Sequence, residues 1–549
     1  MEHSDGAAEA GRGDPMYMLP VWYEECVKSH EQCRSVFNEE SYFPARLIDI
    51  GRADSVDSIR LVTTMGDSNF TATRSDHQRP AYATLSHCWG KSQPLKLLTH
   101  NEGQLKQGID RANLPRVFLD AIDVCRRLSI QYLWIDSLCI CQDSEEDWSK
   151  ESALMGKTYS TGVINIGATG CADSNCSLFE RDSSGSASVG LITWAIAPAN
   201  KYVVVENSIC WLKDFLDQPL LRRAWVVQER LLATRMVHFT KSGLMWECRS
   251  LAATDTYPRK VPDVLQHVHH SRNRFWQTDP PGQHKDEAWS NLVQNYSNCA
   301  LTFGKDKLIA LSGLVSTMKT GGLDRGNYWV GMWETDFPYC LVWVRSALDR
   351  SKWRQVRPNE YRAPSWSWAS LDCQVWTAWS LGIKRSPVIS HFVVNEDGGK
   401  GQDGPQVGCR LLLYMTGPLA KVSIVPKGSE VETVGRGIER AQGISYCISS
   451  IYQHREDIEP DAEFTYMEDD TWNEVIFDDF NDSNLTKDVW CAPIFECEMW
   501  KMGAGMRLFG LLLEVVEGNT FRRIGTFSVR LLPNRQLLKR LQSIAYTVI

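Results

Sequence analysis

No stretch of this 549-residue chain approaches the roughly 18 to 20 consecutive apolar residues that cross a bilayer. The opening MEHSDGAAEAGRGDP is polar and acidic where a secretion signal is basic and then apolar. Neither a membrane span nor a secretory leader is expected, so the default compartment is cytoplasmic. Also missing are a GxGxxG fingerprint after a strand, a glycine-rich loop ending in Gly-Lys-Ser/Thr, an HExxH pair and a GxSxG elbow. Dinucleotide reductases, nucleoside triphosphatases, zinc proteases and common serine esterases lose support with them. Nor is there an excess of positive charge. A net charge of -8 spread along the chain offers no broad attraction to nucleic acid.

The length exceeds one compact domain, so roughly two to four cores are expected. A hydrophobic fraction of 43% and a charged fraction of 23% are those of ordinary globular chains. In the cytosol the 17 cysteines should be reduced, and the sequons at Asn69 and Asn484 read as chance matches. The 21 tryptophans point to aromatic-rich cores or stacking sites.

Along the chain, residues 1–80 read as an N-terminal extension with one short amphipathic helix, LPVWYEECVKSHEQCR, and two strands. That helix puts Cys26, His30 and Cys33 on one face at i, i+4 and i+7. Three donors fall short of the four of a structural zinc site, so core packing is the expectation and no metal is assigned. Residues 81–250 form an α/β unit. AYATLSHCWG reads as a strand, LPRVFLDAIDVCRRLSI as a helix and QYLWIDSLCICQ as a second strand, a crossover length that favours parallel pairing. A helix capped by Ser144, the small-residue strand VINIGATG and the helix RAWVVQERLL follow. Residues 251–386 read as a helical, aromatic-rich region, in which YRAPSWSWASLDCQVW alternates like a strand. Residues 387–549 read as a mostly β module interrupted by the acidic loop REDIEPDAEFTYMEDD.

The chemistry-bearing residues gather at the C-terminal ends of expected parallel strands, the edge where open α/β sheets bind ligands. The first strand ends in Ser86, His87, Cys88, Trp89 and Gly90; the next ends in Asp136, Ser137, Cys139, Gln142 and Asp143. Singly, each is explained by a turn or a cap; together on one rim they make a pocket. A cysteine nucleophile is a second possibility: His87 and Cys88, adjacent in a strand, point to opposite faces and pair poorly, but His87 could serve Cys139 or Cys141 from the next strand. In RAWVVQERLL, Glu229 lies on the face of Trp225 with Gln228 alongside. Either it pairs with Arg222, Arg223 or Arg230 as a structural bridge, or it is a partly buried carboxylate able to bind sugar hydroxyls and stabilise positive charge on a sugar carbon.

The motifs YATLSHCWG, LPRVFLDAI, YLWIDSLCICQD, EDWSKESALMGKTYS, RAWVVQERLL and VHFTKSGLMWEC, in that order, resemble the fungal heterokaryon incompatibility (HET) domain family from Tyr82 to about Cys248. The family's first motif usually carries Tyr where this chain has His87. The resemblance implies a TIR-like (flavodoxin-like) parallel sheet, with flanking helical and mostly β C-terminal regions, and a part in non-self recognition and programmed cell death. In enzymatic Toll/interleukin-1 receptor (TIR) domains a helix bearing a tryptophan and then a Glu-Leu step carries the glutamate needed for NAD cleavage. RAWVVQERLL is similar to that phrase, with Trp225 on the tryptophan, Glu229 on the glutamate and Arg230 in place of the leucine.

By that resemblance Glu229 is the catalytic residue of an NAD glycohydrolase. Ser86, His87, Trp89, Gly90, Asp136, Cys139, Gln142, Arg223, Trp225 and Gln228 line the substrate site. NAD is a substrate and not a cofactor, and self-assembly or a non-self protein partner is expected. The competing reading is a non-enzymatic signalling module that uses the same face as a protein interface.

Overall fold

The computed structural model describes residues 14, 16–34, 42–51, 58–66, 70, 80–91, 94–181, 189–193, 202–206, 215–262, 285–320, 325–346, 356–377, 384–396, 411–427, 445–452, 474–478, 489–499, 505–530 and 543–549. The acidic loop read from the sequence lies outside them, as does the His- and Pro-containing stretch 263–284. Contacts divide the chain into two units. An α/β unit holds Met1–Pro280 with Cys299–Leu301 and Ile309–Met318, and a second unit holds Pro281–Asn298, Thr302–Leu308 and Lys319–Ile549. Among the described residues no helix is long and apolar enough to cross a membrane.

In the α/β unit, apolar runs too short for helices become strands β1 (Arg46–Asp49), β2 (Arg60–Thr63), β3 (Tyr82–Ser86), β4 (Tyr132–Ile135) and β5 (Ile164–Gly167). β6 (Val189–Thr193), β7 (Tyr202–Glu206), β8 (Arg235–Thr240), β9 (Gly243–Cys248) and β10 (Ala252–Thr254) follow. β6 and β7 pair with each other, and the rest form one sheet in the order β10-β9-β8-β5-β3-β4-β1-β2. The four central strands, β4, β3, β5 and β8, are parallel. β3, β5 and β8 are buried at every position, as expected of strands covered on both faces. The antiparallel flanks include β1 and β2, so the N-terminal extension and the α/β region share one sheet.

Helices among the described residues include α1 (Leu19–Ser29), α2 (Glu102–Gln107), α3 (Arg116–Arg127), α4 (Asp136–Cys139), α5 (Glu145–Thr161) and α6 (Ala224–Leu232). α3 carries the chain from β3 to β4 and buries Val117, Phe118, Ala121, Ile122, Val124 and Cys125. Each of its larger side chains contributes about 1.5–3 kcal/mol on burial. Arg126 and Arg127 in its last turn meet the negative end of the helix dipole and stabilise it. α5 starts where expected, with Ser144 Oγ accepting from the Asp147 N–H at 3.2 Å. The Asp147 carboxylate turns to Arg46, which it binds through both oxygens at 3.0 Å. In the loop after β5, Cys171 and Cys176 are joined in a disulfide, contrary to the expectation that all cysteines are reduced.

In the second unit six strands pair in a closed ring. It runs from Ala420–Lys427 to Ser445–Tyr452, Glu474–Phe477, Thr520–Arg530, Gly505–Glu517 and Val489–Met499, and back to the first. Further strands branch from the ring: Lys384–Pro387 pairs with Val489–Met499, and Ser543–Val548, Leu411–Pro418 and His391–Glu396 extend from Thr520–Arg530. Val422, Val475, Phe477, Val489, Cys491, Leu508, Leu512, Ile524 and Phe527 form one cluster of the ring's core. Two expectations are corrected here. The segment YWVGMW, within the region 251–386 expected to be helical, is a hairpin pairing Tyr328–Trp329 with Met332–Trp333. Its two turn residues, Val330 and Gly331, both have positive φ, +39° and +101°, the requirement of a tight hairpin turn. A Cβ on Gly331 would stand 2.6 Å from the Trp368 indole nitrogen, so the close approach also demands glycine. SWSWAS is likewise a turn and not a strand: Ser367 Oγ accepts from the Ala369 N–H at 3.1 Å and donates to the Val330 carbonyl at 2.6 Å. Its alternating Trp366 and Trp368 are both buried by the surrounding aromatic cluster.

Candidate functional site

β3 and β5 carry a line of polar side chains that ends at Ser86, the last residue of β3. Thr84 and Ser86 share a face of β3 because strand side chains alternate, and Asn165 of β5 pairs in register with Thr84. Thr84 Oγ1 donates to Asn165 Oδ1 at 3.2 Å, and Asn165 Nδ2 donates to Ser86 Oγ at 3.0 Å. Ser86 Oγ in turn donates to Glu229 Oε2. Glu229 is thus the last acceptor of a chain of hydrogen bonds that starts in the sheet. The buried Tyr159 phenol, from α5, lies close enough to the same carboxylate to favour its charged form. Its ring stacks edge-on against Trp134 at 5.5 Å.

α6 delivers the carboxylate. Its start is fixed by a returning segment, with the Ala224 N–H donating to the Ala300 carbonyl at 3.0 Å and the Ala300 N–H to the Arg222 carbonyl at 2.6 Å. Ala224, Val226, Gln228, Glu229, Leu231 and Leu232 are buried, so the helix is covered almost all round. None of the arginines offered by the sequence makes an ion pair with Glu229. Arg222 binds Asp217 at 3.1 Å, Arg223 donates to the His87 carbonyl, and Arg230 forks onto Glu247 at 2.8 and 2.6 Å.

Glu229 is 6% exposed, and its pKa is raised to about 7. Burial is the main cause, and the Asp136 charge adds to it; the Arg223 charge, the bond from Ser86 and the Tyr159 phenol act against it. A carboxyl of this kind changes charge near neutrality and can act as an acid, a base or an electrostatic stabiliser.

Asp136, the first residue of α4, organises the adjoining loop. It accepts from the Trp89 indole N–H at 2.9 Å and the Ser137 N–H at 2.7 Å, and stands 3.8 Å from His87 Nδ1. Lys96 lies over the Trp89 ring at 5.1 Å. His87 is buried edge-on to Phe118, neither ring nitrogen has a hydrogen-bond partner, and burial lowers its pKa to about 4. Gly90 turns the loop with φ +67°, and a Cβ there would stand 2.2 Å from Asp173 Cβ.

Ser86, Glu229, Arg223, His87, Asp136 and Trp89 therefore lie in one neighbourhood. Other residues expected there face elsewhere. Gln142 Nε2 donates to the carbonyls of Asp136 and Ile140, and Gln228 accepts from the Gly313 N–H at 2.7 Å. Trp225 is half-buried on α6. Cys139 is fully buried with its thiol pushed up to about 12, and burial also raises Cys88 and Cys141. None of these three thiols is depressed and His87 bonds to none of them, so the geometry lends the cysteine-nucleophile reading no support.

Sequence reasoning missed Asn165 and Tyr159. The one signal for Asn165 was an amide in the apolar strand VINIGATG, and Tyr159 on α5 gave none. It also left Cys26, His30 and Cys33 as core packing for want of a fourth donor. Cys248, at the end of β9, brings its sulfur to the same point.

Residues 82–229 match the family model described as Heterokaryon incompatibility protein (HET). The match opens at the first residue of β3 and closes on Glu229, so it encloses Ser86, Asp136, Tyr159 and Asn165. No curated protein and no solved structure matches the chain.

Proposed function

We propose, from the premise that residues 82–229 are a HET domain, that this chain is a fungal cell-death effector of heterokaryon incompatibility that cleaves NAD, with Glu229 as the reacting carboxylate. The observation that supports this most is the position of Glu229 over the ends of β3 and β5. The parallel strands run β4-β3-β5-β8, which in order of appearance is 2-1-3-4. That is the start of the flavodoxin-like order, whose ligand crevice lies between the first and third strands, here β3 and β5. A TIR-like domain would bind its nucleotide there.

In this reading ionised Glu229 holds the ribose hydroxyls and stabilises the positive charge that develops as the bond from the ribose carbon to the nicotinamide nitrogen breaks. The bonding pair leaves with nicotinamide. Water adds its oxygen to the ribose carbon and releases a proton, giving ADP-ribose. Trp89 stacks on a ring and Arg223 meets a phosphate. Since Glu229 is 6% exposed and bonded by Ser86, catalysis requires the rim to open and Ser86 to yield its bond to a ribose hydroxyl.

The burial of Glu229 also favours a second reading, a signalling module in which the carboxyl network only braces a protein-binding face. The full chain, concentrated, is assayed for NAD loss by chromatography beside Glu229→Gln. Loss in the native chain alone supports cleavage, and equal loss in both removes Glu229 from the chemistry. No loss in either, with toxicity to cells retained, favours the module.

A further inference from the structure

We propose that Cys26, His30, Cys33 and Cys248 form a structural zinc site that clamps the N-terminal helix to the sheet. The four donor atoms lie within 4.8 Å of one another, and three of the four residues are buried. A tetrahedral zinc ion with sulfur at about 2.3 Å and nitrogen at about 2.0 Å sets its ligands roughly 3.5–3.8 Å apart. The Cys248 Sγ to His30 Nδ1 distance is 3.4 Å. Three cysteines and one histidine are a common structural zinc set, complete without water.

The local structure explains how the donors meet. α1 puts Cys26 on its buried face and ends at Ser29, leaving His30 as its C-cap in extended backbone. A single 3₁₀ turn, Glu31–Cys33, then brings Cys33 back onto the same side. Cys248 arrives from the last position of β9, more than 200 residues later in sequence. The three cysteines are free of disulfides.

The surroundings are those of thiolates. The guanidinium of Arg235, 0% exposed, donates Nε to Cys26 Sγ at 3.1 Å and Nη2 to the Cys33 carbonyl at 2.9 Å. The Leu251 N–H donates to Cys248 Sγ at 3.3 Å, and Ser250 Oγ lies 3.8 Å from Cys33 Sγ. Three thiolates around a divalent ion leave one net negative charge, which the buried arginine meets directly. Donors aimed at the sulfurs are the outer support that orients metal ligands. Site formation needs no redox step: each thiol that binds releases its proton to solvent.

The test is metal content of the purified full-length chain by mass spectrometry, with cobalt substitution as a second readout. About one zinc ion per chain is expected, and the cobalt form should show thiolate-to-cobalt charge transfer in the near-ultraviolet with tetrahedral d–d bands in the visible. Cys248→Ser should lower zinc content by more than about tenfold, whereas His30→Cys should keep the metal and shift the cobalt bands toward four-sulfur coordination. If Cys248→Ser fails to fold, alkylation of the native chain decides. Cys26, Cys33 and Cys248 should resist the reagent until a chelator is added. A metal-free chain whose three cysteines alkylate equally with and without chelator, a disulfide among them, or full zinc retention in Cys248→Ser overturns the site.

Discussion

Replacing Glu229 with glutamine should leave the α/β unit unchanged in acid and make it more stable than the native chain in mild alkali. The carboxyl is 6% exposed, and its pKa stands at about 7 against an ordinary 4.5. Because the folded value is the higher one, the folded chain holds the proton more tightly. The stability this gives is fully present below pH 4.5 and is lost as pH rises through 7. A shift of about 2.5 units corresponds to about 3 kcal/mol. Glutamine keeps the shape, can still accept from Ser86, and does not ionise. Thermal unfolding followed from about pH 5 to pH 8.5 should show the native Tm falling relative to the variant. The final gap should be about 6–12 °C at roughly 2–4 °C per kcal/mol. Parallel curves, or a variant less stable at the alkaline end, would show that the folded chain holds Glu229 as a comfortable anion and would refute the assignment of burial as the dominant cause.

Three other changes test neighbouring features. Arg230→Met leaves Glu247, 1% exposed, with His238 at 3.0 Å but without its forked cation; urea unfolding should register a loss of about 3–5 kcal/mol, largely recovered in Arg230→Met/Glu247→Leu. Gly90→Ala must place a Cβ 2.2 Å from Asp173 Cβ at φ +67°, so a loss of about 2 kcal/mol is expected, measured by the same unfolding curves. His87→Phe removes two ring nitrogens that lack partners and keeps the edge contact with Phe118. It should be neutral or stabilising by about 1 kcal/mol in thermal melts. The difference should not vary between about pH 5.5 and 8, since a histidine with its pKa lowered to about 4 is already neutral there.

The parts of the fold that were legible in sequence are those whose cause is local. The apolar spacing of α3, the Ser144 cap of α5 and the buried run of β3 each state their element within a dozen residues. The strand-end residues Ser86, His87, Trp89 and Asp136 followed from the same reading, because a strand's end is itself a local signal. What was hidden depends on distant chain. Asn165 acquires its role from Thr84 and Ser86 some 80 residues earlier, and Cys248 from α1 more than 200 residues away. The hairpin at Tyr328–Trp333 was obscured differently. Its turn uses Val330 at φ +39°, a residue that prefers β geometry and gives no turn signal. Trp366 and Trp368 mimic a strand because a 3₁₀ turn packed among tryptophans can bury both as well as a pleat can.

The placement of charge on α6 bears on why a carboxylate interrupts that helix at all. Glu229 and Arg230 are adjacent, so they leave the helix about 100° apart. Arg230 turns to the sheet and neutralises Glu247, which also accepts from His238. Glu229 turns to the polar line of β3 and β5 and meets hydroxyls from Ser86 and Tyr159, with no arginine in ion-pair contact. The structural bridge that would have explained it is thus spent on a different acid. A glutamine at this position would satisfy the same hydroxyl and avoid a penalty of about 3 kcal/mol above neutral pH. Local rules broken without a visible structural compensation concentrate where function requires them. Glu229, hydrogen-bonded by Ser86 but in no ion pair, fits that pattern under the proposed function, and ionisation near pH 7 is the property that a reacting group there would need.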